Sequence, residues 1–131
     1  MNKKHWKSIG AVFAGMLAVI ILSIGTDAVL HATGVFPPLG QAMPGALFLL
    51  ATAYRTVYGV AGSYITARLA PDRPMAHALA VGAVGLVAST MGVLVAWNKP
   101  ELGPMWYPLA LVALAMPSAW AGGRLGESGG D

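Results

Sequence analysis

Four long apolar runs, separated by short connections, take up most of this 131-residue chain. They lie near residues 9–31, 44–67, 75–97 and 104–122, and the second helix is predicted to extend over 44–70. Each is close to the roughly 20 residues with which an α-helix crosses the hydrocarbon core of a bilayer. Only 10% of the residues are charged, against about 25% in a soluble domain. The sequence therefore predicts an all-α, polytopic membrane protein, a four-transmembrane-helix bundle in contact with the lipid bilayer.

Proline and glycine mark the predicted helix boundaries. Pro37 and Pro38 stand in the first connection, and Pro71 and Pro74 bracket the second. These connections are too short to hold another domain, so residues 1–125 are predicted to form a single transmembrane domain.

The carboxyl-terminal part of the chain carries two further signals. Pro108 and Pro117 fall inside the fourth run, where a proline removes a backbone hydrogen bond, so this helix is predicted to bend. Residues 126–131 are glycine-rich and polar, and they are predicted to form a flexible tail.

The basic residues are distributed unevenly about the apolar runs. Those that precede the first run, separate the second from the third or follow the fourth are Lys3, Lys4, Lys7, Arg68, Arg73 and Arg124. The two opposite connections carry only Lys99, which Glu101 offsets. Because Lys and Arg in short loops stay in the cytoplasm, both termini are predicted to be cytoplasmic. The predicted location is multi-pass in a membrane, the bacterial inner (plasma) membrane.

The first run has an alternative interpretation, a cleaved signal peptide, because it also follows a basic segment. No small-residue cleavage site closes the run, and an uncleaved helix is therefore favoured.

Several function classes are not expected. The chain has no cysteine, which excludes disulfides and thiolate chemistry, and its net charge of +3 forms no basic helix face for nucleic acid. No nucleophile–base pair, paired carboxylates or phosphate-binding loop is recognisable, so we do not expect an enzyme or a cofactor. A metal site is not expected either, because Asp27 and His31 supply only two ligands at helical spacing.

Arg55 is the most informative residue. It lies eleven positions after Pro44, or about 16 Å along the second helix. That is near the middle of a bilayer, where an arginine costs at least about 2.5–3.5 kcal/mol, so it should face other helices and hold a partner. The predicted partner is Asp27, the only acidic residue inside any apolar run, and His31 lies one turn beyond it.

Small and polar residues share one face of the second helix with Arg55, and Tyr54 and Tyr58 flank that face. The candidate ligand or ion site therefore consists of Asp27, Arg55, His31, Tyr54, Tyr58 and Thr52. Three interpretations remain open. The pair could fix the register of two helices, it could bind a proton, ion or small anion, or Arg55 could pair with a partner protein.

Small residues recur along the third run at spacings of three and four. They are Ala78, Gly82, Gly85, Ser89, Gly92 and Ala96. Membrane helices associate through such seams because small residues let the backbones approach closely. The seam could pack within one chain or between two copies, and intrachain packing is favoured.

Two functions fit these features. The first is a small integral membrane protein, a transporter, channel or ligand-binding protein, that uses the Asp27–Arg55 region. The alternative is a structural or accessory subunit of a larger membrane complex, with the pair purely structural. The expected protein partners are accordingly a second copy of this chain or a membrane-complex subunit.

Overall fold

The computed structural model describes residues 3–36, 45–99 and 104–129, and within these ranges it contains four α-helices and no strand. The helices are α1 (Lys3–Ala32), α2 (Gly45–Leu69), α3 (Pro74–Ala96) and α4 (Trp106–Gly129). The prediction of an all-helical chain is confirmed for these residues. The connection predicted around Pro37 and Pro38 lies outside them.

Two of the four helices are long and apolar enough to cross a membrane. They are α1, from His5 to Ala32, and α3, from Pro74 to Ala96. The second and fourth helices are less apolar. Arg55 and its polar neighbours interrupt the apolar sequence of α2, although the helix itself is continuous. Glycine, proline and Arg124 lower the mean hydropathy of α4. The chain is thus a candidate membrane protein with two apolar helices, rather than one whose four runs are equally apolar.

The second helix lies at the centre of the fold, in contact with each of the other three. Contacts between Gly15 and Gly62 and between Thr26 and Tyr58 make α1 and α2 antiparallel. The fourth helix runs parallel to α2 and antiparallel to α3. We call the end at which α1 and α3 finish the loop end. The opposite end, where α1 and α3 begin, is the terminal end.

Glycine allows α1 and α2 to meet closely near the terminal end. A Cβ added to Gly15 would lie 1.9 Å from Thr66 Oγ1 and 2.5 Å from the carbonyl oxygen of Gly62. Thr66 is fully buried and donates a hydrogen bond of 2.7 Å to the carbonyl of Ala11. A larger side chain at position 15 would therefore separate the helices.

The fourth helix is longer than the sequence predicts. The prediction ends it near residue 122 and makes 126–131 a flexible tail, whereas the helix continues to Gly129. Gly122 and Gly126 are buried against α2, and a Cβ on Gly126 would lie 2.4 Å from the Cβ of Ala67. Each glycine weakens an isolated helix by about 1 kcal/mol, but here packing against α2 offsets that cost. Residues 130 and 131 lie outside the described part.

The two prolines of the fourth run differ in position. Pro108 lies in the first turn of α4, where a backbone N–H has no helical acceptor in any case, so it does not interrupt the helix. Pro117 alone lies in the interior. The predicted bend of this helix therefore rests on Pro117.

Candidate functional site

The structure brings Asp27 and Arg55 together, as the sequence predicts. Arg55 lies about 15 Å along α2 from its start, and its Nη2 donates to Asp27 Oδ2 in a salt bridge. The side chain of Arg55 is 29% exposed and that of Asp27 is 30% exposed. The pair thus joins α1 to α2 in a partly buried setting, where the charges are screened less than at an open surface.

Two tyrosines of α2 reinforce this junction. Tyr54 donates a hydrogen bond to Asp27 Oδ1, and its ring centroid lies 5.7 Å from the guanidinium carbon of Arg55. One turn further, the Tyr58 hydroxyl is 2.7 Å from Thr26 Oγ1. Each carboxylate oxygen of Asp27 therefore accepts a hydrogen bond from α2, and three side chains of α2 contact α1 at this junction.

Two predicted site residues form other contacts. Thr52 is buried, and its hydroxyl donates to the carbonyl of Phe48 within α2 at 2.9 Å. This intrahelical bond is the common behaviour of threonine in an apolar helix. His31 packs edge-on against Phe36, with ring centroids 5.3 Å apart.

A cavity of about 490 Å³ adjoins Arg55 and is lined by residues of all four helices, with Val19 and Ser23 contributed by α1. We call it the slot. On α3 its lining runs from Gly82 to Ala96, a distance of about 21 Å at 1.5 Å per residue. The other main walls run from Arg55 to Ser63 on α2 and from Tyr107 to Ser118 on α4. The volume falls within the range of about 300–1,000 Å³ that ligand sites occupy.

The slot is mostly apolar and carries a single charge. Among the described residues that line it, Arg55 is the only charged one, and Asp27 is not part of the lining. Arg55 Nε is buried and has no hydrogen-bond partner among the described residues. Serine and threonine hydroxyls add polarity along the walls, although those of Thr56, Ser89 and Ser118 already donate to carbonyls of their own helices.

Tyr107 is a site residue that the sequence analysis did not identify. In the structure it lies beside the Arg55 guanidinium, lines the slot and packs on Phe48 with ring centroids 5.1 Å apart. Its position directly before Pro108, in the first turn of α4, is a signal for a helix start. No sequence pattern relates that turn to Arg55, because α2 and α4 are far apart in the chain.

The small-residue seam of α3 divides into two parts. Near the terminal end, Ala78 and Gly82 pack against α4, and a Cβ on Gly82 would lie 2.4 Å from the Cβ of Ala119. Further along, a Cβ on Gly92 would meet none of the described residues within 4 Å. The seam is thus an intrachain contact at one end. From Gly82 to Ala96 its residues form a wall of the slot.

No group of three His, Asp or Glu side chains within the described ranges is arranged to hold a metal ion. No protein family, curated protein or solved structure matches the chain. The function is therefore argued from the geometry of the site.

Proposed function

We propose that this chain is a multi-pass membrane protein that binds a small ligand in the slot, as a transporter or ligand-binding protein. The observation that carries the proposal is an elongated, mostly apolar cavity whose described lining contains one charged residue, Arg55. Arg55 donates a hydrogen bond to Asp27, and Tyr54 donates a second one to the same carboxylate. Ligand sites commonly have this composition, an apolar wall with a few placed polar groups.

The exposed surface supports insertion into a membrane. Only 17% of the residues in the apolar stretch of α1 are buried, and the same share holds for α3. In a soluble protein such helices would be covered. Large apolar side chains point outward along both helices, among them Phe13, Ile21, Ile24, Val87 and Leu94. A lipid environment would satisfy this surface.

The directions of the helices support four crossings rather than two. His77 Nε2 and Ser8 Oγ are 2.9 Å apart, which places the start of α3 beside the start of α1. The two apolar helices therefore run in the same direction. If both cross the membrane, α2 must bring the chain back between them, and α4 packs antiparallel along α3. The basic residues near the terminal end favour a cytoplasmic location for both termini.

Single cysteines in this cysteine-free chain test the topology. Val35→Cys and Lys99→Cys mark the loop end, and Leu69→Cys and Leu125→Cys mark the terminal end. With a membrane-impermeant maleimide on intact cells, four crossings predict labelling of the first two only. If only α1 and α3 cross the membrane, the maleimide should label Leu69→Cys and should not label Lys99→Cys. That second pattern would contradict the proposed topology.

A second pair of cysteines tests the slot itself. Gly92 lines the slot, whereas its neighbour Met91 points away and is 60% exposed on the apolar surface. We expect a small water-soluble thiol reagent to modify Gly92→Cys faster than Met91→Cys in membranes. Equal, slow modification of both would mean that the slot does not admit polar molecules, and ligand binding there would be abandoned.

The structural role remains the second candidate, and one observation favours it. The Asp27 carboxylate and the Arg55 guanidinium are joined to each other and to Tyr54, as in a pair that only sets register. An accessory subunit would then use its exposed apolar surface to contact a larger complex. Purification in a mild detergent at native expression level distinguishes the roles, because an accessory subunit should retain a stoichiometric partner.

A further inference from the structure

We infer that the slot takes a single-chain amphiphile with an acidic end, such as a monocarboxylate on an alkyl chain. This inference rests on the proposed function and specifies its ligand. The acidic group would lie at Arg55 and Tyr107, and the chain would extend along the wall of α3 towards the terminal end.

The charge at the slot favours an anion. Arg55 contributes a guanidinium to the lining, whereas its ion-pair partner Asp27 on α1 is not among the described lining residues. A guanidinium has five N–H donors. Its hydrogen bond to Asp27 uses Nη2, and Tyr107 also lies within hydrogen-bonding reach of the guanidinium. A second carboxylate could accept from another part of the same planar group, since guanidinium geometry matches carboxylates well. The nearby hydroxyl of Tyr107 is a further donor.

The shape of the slot favours one alkyl chain. From Arg55 the wall of α2 extends to Ser63, about 12 Å towards the terminal end, and it faces small residues of α3 such as Gly82 and Gly85. A narrow chain can lie along such a wall without meeting bulky side chains. Near the terminal end α4 packs closely on both of its neighbours, because Gly82 of α3 lies against Ala119 and Gly122 lies against Val60 of α2. A ligand that fits the slot would therefore have one polar end, at Arg55, and one apolar end.

The test compares three probes of equal chain length, namely decanoate, decanol and decyltrimethylammonium. Each is titrated against the protein in phosphatidylcholine nanodiscs, and the apparent Kd is taken from the rise in the thermal unfolding midpoint. We expect decanoate to bind at least about tenfold more tightly than the other two, because only it can accept charge-assisted hydrogen bonds from Arg55.

Four variants locate the binding. Gly92→Phe fills the slot without meeting any neighbour at its Cβ, and Met91→Phe is the matched control on the exposed side. We expect the first to abolish decanoate binding and the second to leave it unchanged. Arg55→Lys keeps the charge but not the planar fork, so it should weaken decanoate by about tenfold. Tyr107→Phe, which keeps the ring on Phe48, should weaken it several-fold.

The outcomes separate this inference from the proposed function. If the three probes bind equally and Gly92→Phe abolishes all of them, the slot is a ligand site but the acidic end is refuted. If Gly92→Phe changes the binding of none of the three probes, the slot is not the binding site, and both the proposed function and the acidic amphiphile are refuted. If phosphatidylglycerol nanodiscs raise the thermal unfolding midpoint without decanoate, and Gly92→Phe removes that rise while Met91→Phe keeps it, an anionic lipid occupies the slot and the single-chain ligand is refuted.

Discussion

A single methyl group at Gly15 should destabilise the protein, although alanine is the better helix former. The added Cβ would lie 1.9 Å from Thr66 Oγ1 and 2.5 Å from the carbonyl oxygen of Gly62. The Thr66 hydroxyl could rotate away, but it would then lose its hydrogen bond to the Ala11 carbonyl. The Gly62 carbonyl is backbone and cannot rotate, so α1 and α2 would have to separate by about 1 Å to restore ordinary contact.

The magnitude follows from three contributions. Overpacking of a close contact costs typically about 1–3 kcal/mol, and loss of the buried hydrogen bond costs about 1 kcal/mol. The gain in helix propensity from glycine to alanine is about 0.5–1 kcal/mol. We therefore expect Gly15→Ala to lower the free energy of unfolding by about 2 kcal/mol.

The first helix supplies its own controls. A Cβ on Gly10 or Gly25 would meet nothing within 4 Å, although both glycines lie in the same helix. Gly10→Ala and Gly25→Ala should therefore raise stability by about 0.5–1 kcal/mol. Unfolding by sodium dodecyl sulfate in mixed micelles, followed by circular dichroism, measures all three variants. If Gly15→Ala proved as stable as Gly10→Ala, the close contact between α1 and α2 would be wrong.

Three further predictions concern individual interactions. In a double-mutant cycle, Asp27→Asn and Arg55→Gln should each lower the free energy of unfolding by about 2–3 kcal/mol. The double variant should lower it by clearly less than the sum of the two. Additive losses would show that the pair is not coupled. Thr66→Val should lower it by about 1 kcal/mol, whereas Thr90→Val on the exposed side of α3 should be nearly neutral, and equal effects would argue against the buried bond to Ala11. Arg73, directly before α3, has a left-handed backbone with φ of 42°, which is strained for residues other than glycine. Arg73→Gly should therefore raise the thermal unfolding midpoint, and Arg73→Val should lower it. The opposite order would show that the backbone at this position is not strained.

The sequence by itself determined the features that depend on the local pattern of residues, and one feature that depends on how few acidic residues the apolar runs contain. Apolar runs bounded by proline predicted the helices to within a few residues, apart from an earlier start of α1 and a later end of α4. The Asp27–Arg55 pair was predictable because only one acidic residue lies inside an apolar run, and a mid-membrane arginine needs a partner. Whether all four helices cross a membrane remains a prediction.

Other features depended on contacts between residues that are distant in the chain, and these only the tertiary structure decided. Helix α4 continues through its glycines because Gly122 and Gly126 pack against α2, a gain that local propensity does not include. Tyr107 reaches Arg55 only because α4 lies parallel to α2. The seam of α3 was visible in the sequence as a packing surface, yet small residues permit close packing without requiring it. From Gly82 onwards, the separation of the neighbouring helices makes that surface the wall of a cavity.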